Sequence, residues 1–188
     1  MNSIILIAPP AGGKGTHASL LTNEYKIPHI SVGDLLRGAA NDTSETALLI
    51  KKLQAEGTLV PIEIVMKLIS ERIQKDDCEN GYILDGFPRS IEQALQYDKI
   101  LEELGKDIGK VILLNLDKEI AKSRIVNRLS CPKCGRVYNS ANVELMPKVE
   151  GKCDDCDVSL IHRSDDTAET YEKRYQVYIT ETQPVIDY

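Results

Sequence analysis

Hydrophobic and polar positions alternate between two regimes along this chain. Short apolar runs recur at residues 4–7, 27–30, 82–85 and 111–116, each four to six residues long. Between them lie longer stretches with helical spacing, bounded by caps and turns. The pattern predicts helices over 18–25, from the Ser31–Arg37 turn onward, over 44–56 up to Gly57, over 62–74, from Ser90 to about 104, and over 118–129. Ser31, Asp34, Ser44 and Ser90 are the capping candidates. The run Val111-Ile112-Leu113-Leu114-Asn115-Leu116 is nearly all apolar, which predicts a parallel strand covered on both faces. From 130 to 163 helical periodicity disappears. It resumes from 165 to 188, with a break expected near Pro184. Strands alternating with helices predict an α/β protein with an open, mainly parallel, doubly wound sheet.

The chain has 188 residues, enough for one main domain with insertions, and a formal net charge of −6. That charge argues against a general nucleic-acid-binding surface. No apolar run approaches the ~18 residues of a membrane span, and the opening Met-Asn-Ser-Ile-Ile has no basic region of the kind that begins a signal peptide. A cytoplasmic protein without a membrane partner is the expectation. In that reducing setting the five cysteines read as thiols or metal ligands rather than disulfides.

The first apolar run leads into Ala8-Pro-Pro-Ala11-Gly12-Gly13-Lys14-Gly15-Thr16. Small residues let backbone N–H groups approach an anion, and a helix N-terminus adds partial positive charge. Lys14 is spaced to reach outer phosphates, and the Thr16 hydroxyl to serve a bound Mg²⁺. The loop departs from the strict phosphate-loop pattern, and a plain strand-to-helix turn stays open on these letters. Cys131-x-x-Cys134 and Cys153-x-x-Cys156 form two knuckles separated by 18 residues. Four thiolates leave a tetrahedral Zn²⁺ no open position, so this metal would be structural. Asp85 ends an apolar strand, where an acid can meet Mg²⁺ beside a phosphate loop. Arg124 and Arg128 are four apart, which predicts one shared helix face needing an anion between the like charges. Surface solvation is the default for each arginine alone; convergence on one anion would make a phosphoryl-transfer clamp.

These stretches carry a resemblance across nearly the whole chain. Gly13-Lys-Gly-Thr16, Ile30-Ser-Val-Gly-Asp-Leu-Leu-Arg37, Gly57-Thr-Leu-Val-Pro61, Leu84-Asp-Gly-Phe-Pro-Arg89 with Gln93, Arg124-Ile-Val-Asn-Arg128, Cys131-Pro-Lys-Cys-Gly-Arg-Val-Tyr138 and Arg163-Ser-Asp-Asp166 with Arg174 are similar to bacterial adenylate kinases with a long, zinc-binding lid. The resemblance implies a P-loop α/β fold with a helical AMP-binding insertion and a zinc-binding lid insertion. It places the core at 1–30, 61–126 and 165–188, the AMP-binding insertion at 31–60 and the lid at 127–164. It implies a monomeric enzyme that transfers a phosphoryl group reversibly from ATP to AMP, giving two ADP, with Mg²⁺. Ala11, Gly12, Gly13, Lys14, Gly15, Thr16, Arg124, Arg128, Val137 and Tyr138 would bind ATP. Val32, Arg37, Gly57, Leu59, Val60, Gly86, Arg89, Gln93, Arg163 and Arg174 would bind AMP. Thr16 and Asp85 would serve Mg²⁺, and Cys131, Cys134, Cys153 and Cys156 would hold Zn²⁺. Lys14, Arg89, Arg128, Arg163 and Arg174 would be catalytic, and Asp165 and Asp166 would lie at the lid hinge.

Three departures from the family pattern change expectations. Ala8 and Ala11 replace loop glycines, which predicts weaker ATP binding. Val32 replaces a hydroxyl residue near the AMP base, which predicts looser discrimination among nucleoside monophosphates. The sequence ends at Tyr188, where the family continues with a strand and a helix, which predicts lower stability. Three other readings stand beside the first: a different nucleoside monophosphate kinase, a zinc-ribbon nucleic-acid-binding module on an inactive core, and a nucleotide-binding protein without catalysis.

Overall fold

The computed structural model describes residues 3–188. Among them a four-stranded parallel sheet forms from Ile4–Ile7 (β1), His29–Ser31 (β2), Ile83–Asp85 (β3) and Lys110–Leu113 (β4), in the order β2-β3-β1-β4. The register pairs Leu6 with both Asp85 and Ile112. β1 illustrates why the short runs become central strands. Its alternate side chains enter two separate cores, as the two-residue period requires. Ile5 and Ile7 pack with Ile30, Leu84 and Phe87 on one face. Ile4 and Leu6 pack with Ala18, Ile27 and Ile83 on the other.

Most of the helices start where short polar side chains accept the first free N–H groups. Lys14–Tyr25 (α1) begins directly after Gly13, whose φ is +84°. Val32–Ala39 (α2) is capped by Ser31, and Glu45–Glu56 (α3) by Ser44. Gly57, at φ +74°, ends α3. Ile62–Ile73 (α4) follows, then Ile91–Glu103 (α5), capped by Ser90. Lys118–Val126 (α6) is capped by Asp117. Arg128–Ser130 (β5) and Val137–Asn139 (β6) pair antiparallel in a small outlying sheet. Ala168–Val177 (α7), capped by Thr167, continues through a π-helical turn at Tyr178–Thr182 into Gln183–Asp187 (α8).

Three sequence expectations need correction. The 111–116 run is not a covered strand: β4 is an edge strand, and Val111, Ile112 and Leu113 are 55%, 37% and 44% exposed. Arg124 and Arg128 do not share a helix face, because α6 ends at Val126 and Arg128 opens β5. The break expected at Pro184 lies earlier, in the π turn, and Pro184 itself sits in the first turn of α8, where its missing N–H is tolerated.

Parallel topology puts the loops after β1 and β3 side by side at the carboxyl edge of the sheet. That crevice is where doubly wound sheets bind ligands.

Candidate active site

The loop after β1 turns tightly, with the Gly12 N–H donating to the Pro9 carbonyl at 3.0 Å. A Cβ added at Gly12 would stand 2.7 Å from the Ala8 Cβ and 2.9 Å from the Pro9 oxygen, so position 12 accepts only glycine. Ala11 adopts φ +59°, a left-handed conformation that disfavours L side chains. Lys14 turns inward, and its ammonium donates to the carbonyls of Ala8 and Pro9 at 3.1 Å each. Burial pulls its pKa down to about 8, with Asp85 opposing the shift and Arg89, Arg174 and Arg128 adding to it. Thr16 lies in the exposed first turn of α1. A Cβ at Gly15 would be 3.7 Å from Asp85 Oδ2, so the acid ending β3 adjoins the phosphate loop as expected.

Asp85 is buried and lies 3.1 Å from His29 Nε2, a partner the sequence reading missed. The signal was register: β2 and β3 run parallel, pairing Ser31 with Asp85 and leaving His29 two residues upstream. After β3, Gly86 adopts φ +76° and its carbonyl accepts the Arg89 Nε–H at 2.6 Å. The Arg89 backbone N–H donates to Gln93 Oε1 at 2.8 Å, which leaves the Gln93 amide nitrogen as its free donor end. The Arg89 carbonyl accepts the Thr182 hydroxyl at 2.9 Å, tying the loop after β3 to the C-terminal helix.

The arginines converge. Arg89 is lowered to about 10 by burial, with Arg174 and Arg37 adding to the shift. Burial also lowers Arg163, with Arg128 and Arg37 the next causes. Arg174 is lowered by burial, opposed by Asp165. Carboxylates hold three of the group: Arg128 pairs with the fully buried Asp166 side chain, Arg174 with Asp165 at 2.8 Å, and Arg37 with Asp34 at 2.5 Å. Arg72 and Arg136 lie outside this group, paired with Asp77 and with Asp154 and Asp155. Arg124 is near the loop after β1, its Nη1 4.0 Å from where a Gly13 Cβ would stand. Cationic groups crowded against their own repulsion mark a site built for a multiply charged anion.

Cys131, Cys134, Cys153 and Cys156 place their sulfurs within 4.8 Å of one another. The Cys134 and Cys153 sulfurs are 3.7 Å apart, close to the ~3.8 Å edge of a tetrahedron with Zn–S bonds of about 2.3 Å. The two knuckles match: Gly135 N–H donates to the Cys131 carbonyl at 3.0 Å and Asp157 N–H to the Cys153 carbonyl at 2.9 Å. The donor set therefore fits a thiophilic metal. Cys153 is drawn down to about 6, chiefly by the Tyr138 hydroxyl.

The family model for adenylate kinase matches residues 6–188. The chain belongs to the adenylate kinase family. It is 44% identical to an adenylate kinase of Thermosipho africanus, over 99% of this chain and 86% of that protein. It is 44% identical to one of Clostridioides difficile, over 98% and 85%, and 41% identical to one of Thermotoga neapolitana, over 100% and 85%.

Membership in the adenylate kinase family gives a small pocket beside Arg89 its interest. Val32, Leu36, Leu59, Val60, Val65, Gly86, Arg89 and Gln93 line it, with apolar walls and one buried amide. Gly57 adjoins α7: a Cβ there would stand 2.9 Å from Arg174 Cγ. Of the expected ATP residues, Val137 and Tyr138 part company. Val137 is exposed, whereas the Tyr138 ring is buried among the cysteines. Among the described residues no helix is long and apolar enough to cross a membrane.

Proposed function

We propose that this chain transfers the terminal phosphoryl group of ATP to AMP, reversibly and with Mg²⁺, giving two ADP. The observation that carries this reading is the meeting of Lys14, Arg89, Arg128, Arg163 and Arg174 at the edge where Asp85 adjoins the phosphate loop. Phosphoryl transfer needs little covalent chemistry from the protein. It needs alignment, charge neutralisation and exclusion of water.

Donor phosphates sit on the backbone of Ala11, Gly12, Gly13, Gly15 and Thr16, and Lys14 leaves the Ala8 and Pro9 carbonyls to meet them. Arg124 and the exposed Val137 cover the donor base. Arg37 and Arg89 hold the AMP phosphate. Gly57, Leu59, Val60, Val32 and Gly86 enclose the acceptor nucleoside, and the free amide end of Gln93 donates to a base acceptor. Arg128 and Arg174 exchange their carboxylate partners for the oxygens of the migrating group, and Arg163 joins them there. The hard oxygen donors of Thr16 and Asp85 would hold Mg²⁺, which would supply neutralisation of the phosphate charge. In this reading residues 31–60 form an acceptor flap and 127–164 a lid, stapled by Zn²⁺ on the four cysteines so that it closes as one piece.

A coupled assay of ADP formation from ATP and AMP, with and without Mg²⁺, tests the proposal. Lys14→Ala should lower kcat at least ~100-fold, as loss of a charge-stabilising donor does. Comparison with CMP and UMP tests the acceptor. Turnover of CMP or UMP above that of AMP overturns the assignment of the acceptor, and absence of Mg²⁺-dependent ADP formation overturns the reaction.

A further inference from the structure

Tyr138 is placed to serve the cysteine centre rather than the nucleotide. Strand alternation sends its ring to the face opposite Val137: Tyr138 is 2% exposed and Val137 42%. The ring packs with Cys131, Cys153 and Leu129. Its Oη accepts the Asp154 N–H at 2.8 Å. A phenol that accepts there must send its own proton elsewhere, and Cys153 Sγ lies 3.5 Å away. The Arg136 guanidinium lies 5.1 Å over the ring and is itself held by Asp154 and Asp155, so the ring is fixed from a second side.

We propose that Tyr138 is a positioning residue of the metal centre, donating its phenolic proton to the Cys153 thiolate while Val137 on the opposite face serves the nucleotide. This rests on the reading of the four cysteines as a metal site. Four thiolates on a divalent ion carry excess negative charge. A hydrogen bond from outside the ligand set withdraws part of it and orients the sulfur, and loss of such a partner typically weakens metal binding 10–100-fold.

The test uses the full chain as wild type, Tyr138→Phe and Val137→Ala. Zn²⁺ affinity is measured by competition with a chromogenic chelator, and Co²⁺ is titrated in as a spectroscopic probe. Tyr138→Phe keeps the ring and its packing, so a purely structural role leaves the metal unaffected. The expected result is Zn²⁺ binding at least ~10-fold weaker and a thiolate-to-cobalt charge-transfer band shifted to lower energy, because the unbonded sulfur gives up electrons more readily. Val137→Ala should leave both metal readouts unchanged and raise KM for ATP. Independently of any variant folding, cadmium NMR of the loaded wild type should show coupling to a slowly exchanging tyrosine hydroxyl proton. Unchanged Zn²⁺ affinity and Co²⁺ spectrum in Tyr138→Phe overturn the proposal. So does a rise in KM for ATP with those metal readouts unmoved, or absence of the coupling. A wild type that binds neither metal overturns the underlying reading and is seen in the first arm.

Discussion

Ala11→Gly and Ala8→Gly should change stability in opposite directions, although both restore glycine to the same loop. Ala11 holds φ +59°. A left-handed L residue costs about 1–2 kcal/mol, and glycine at that φ removes the strain. Glycine adds about 0.5–1 kcal/mol of unfolded-state entropy. The Ala11 methyl is only partly buried, against the cluster of Ala121, Ile125 and Tyr171, so its loss removes less than the ~0.8 kcal/mol of a fully buried methylene. The net is a gain of about 0.5 kcal/mol. Ala8 is buried, with no left-handed strain to release. Its replacement loses about 0.8 kcal/mol of burial and about 0.5–1 kcal/mol of entropy, roughly 1.5 kcal/mol in all. For a chain of this size each kcal/mol is worth about 2–4 °C. Thermal unfolding of the nucleotide-free protein should therefore rise by about 1–2 °C for Ala11→Gly and fall by about 3–6 °C for Ala8→Gly. Isothermal titration with ATP should show tighter binding in Ala11→Gly, because the N–H groups of the loop can then turn to phosphate without a Cβ. A drop in Tm for Ala11→Gly, or shifts of the same sign for both, would refute the reasoning.

Other perturbations follow from the same geometry. Burial holds the Lys14 pKa near 8, below the ordinary 10.5 of a lysine. A cation depressed in the fold destabilises it fully below pH 8, by at most about 3 kcal/mol. That destabilisation fades as pH rises from 8 toward 10.5, so the stability gap between wild type and Lys14→Met should narrow over that range in urea titrations. Phosphate contact should return the lysine proton, so ATP binding at pH 8.5 should take up protons, measurable by calorimetry in buffers of different ionisation heat. Asp166→Asn leaves the half-buried Arg128 without its charge partner and should cost about 3 kcal/mol in denaturant unfolding, the low end of the buried-pair range. Gly57→Ala forces a Cβ to 2.9 Å from Arg174 Cγ at φ +74°, so KM for AMP should rise and Tm fall together. A strong chelator should expose the 127–164 segment to protease, and added Zn²⁺ should protect it.

Much of the fold was legible because its signals are local. Ser31, Ser44 and Ser90 cap the helices they precede, and Gly57 ends the one it follows. The phosphate loop, the cysteine knuckles and Asp85 were legible because their chemistry lies within a few residues. Place in the sheet was not. An apolar run states that a strand favours cover, but β4 takes the edge in a sheet order set by distant pairings, such as Ile4 with Ile83 and Ile4 with Lys110. Arg128 was misread because a spacing of four suggests a helix face only while the helix lasts, and α6 ends two residues earlier. The partners that set the site's electrostatics, His29 for Asp85 and Asp166 for Arg128, are 56 and 38 residues away in sequence. Only the folded topology brings them together.

The π turn at Tyr178–Thr182 sets the angular phase of the residues beyond it. Each residue advances an α-helix by about 100°, and the wider turn spends one residue without that advance. Thr182 thereby faces the Arg89 carbonyl while Val185 faces the main core. Deleting a single residue within 178–182 would restore an uninterrupted spiral and swing both away at once. The loop after β3 thus depends on a count of residues in a distant helix, a dependence that substitution at any one of positions 178–181 would leave largely hidden.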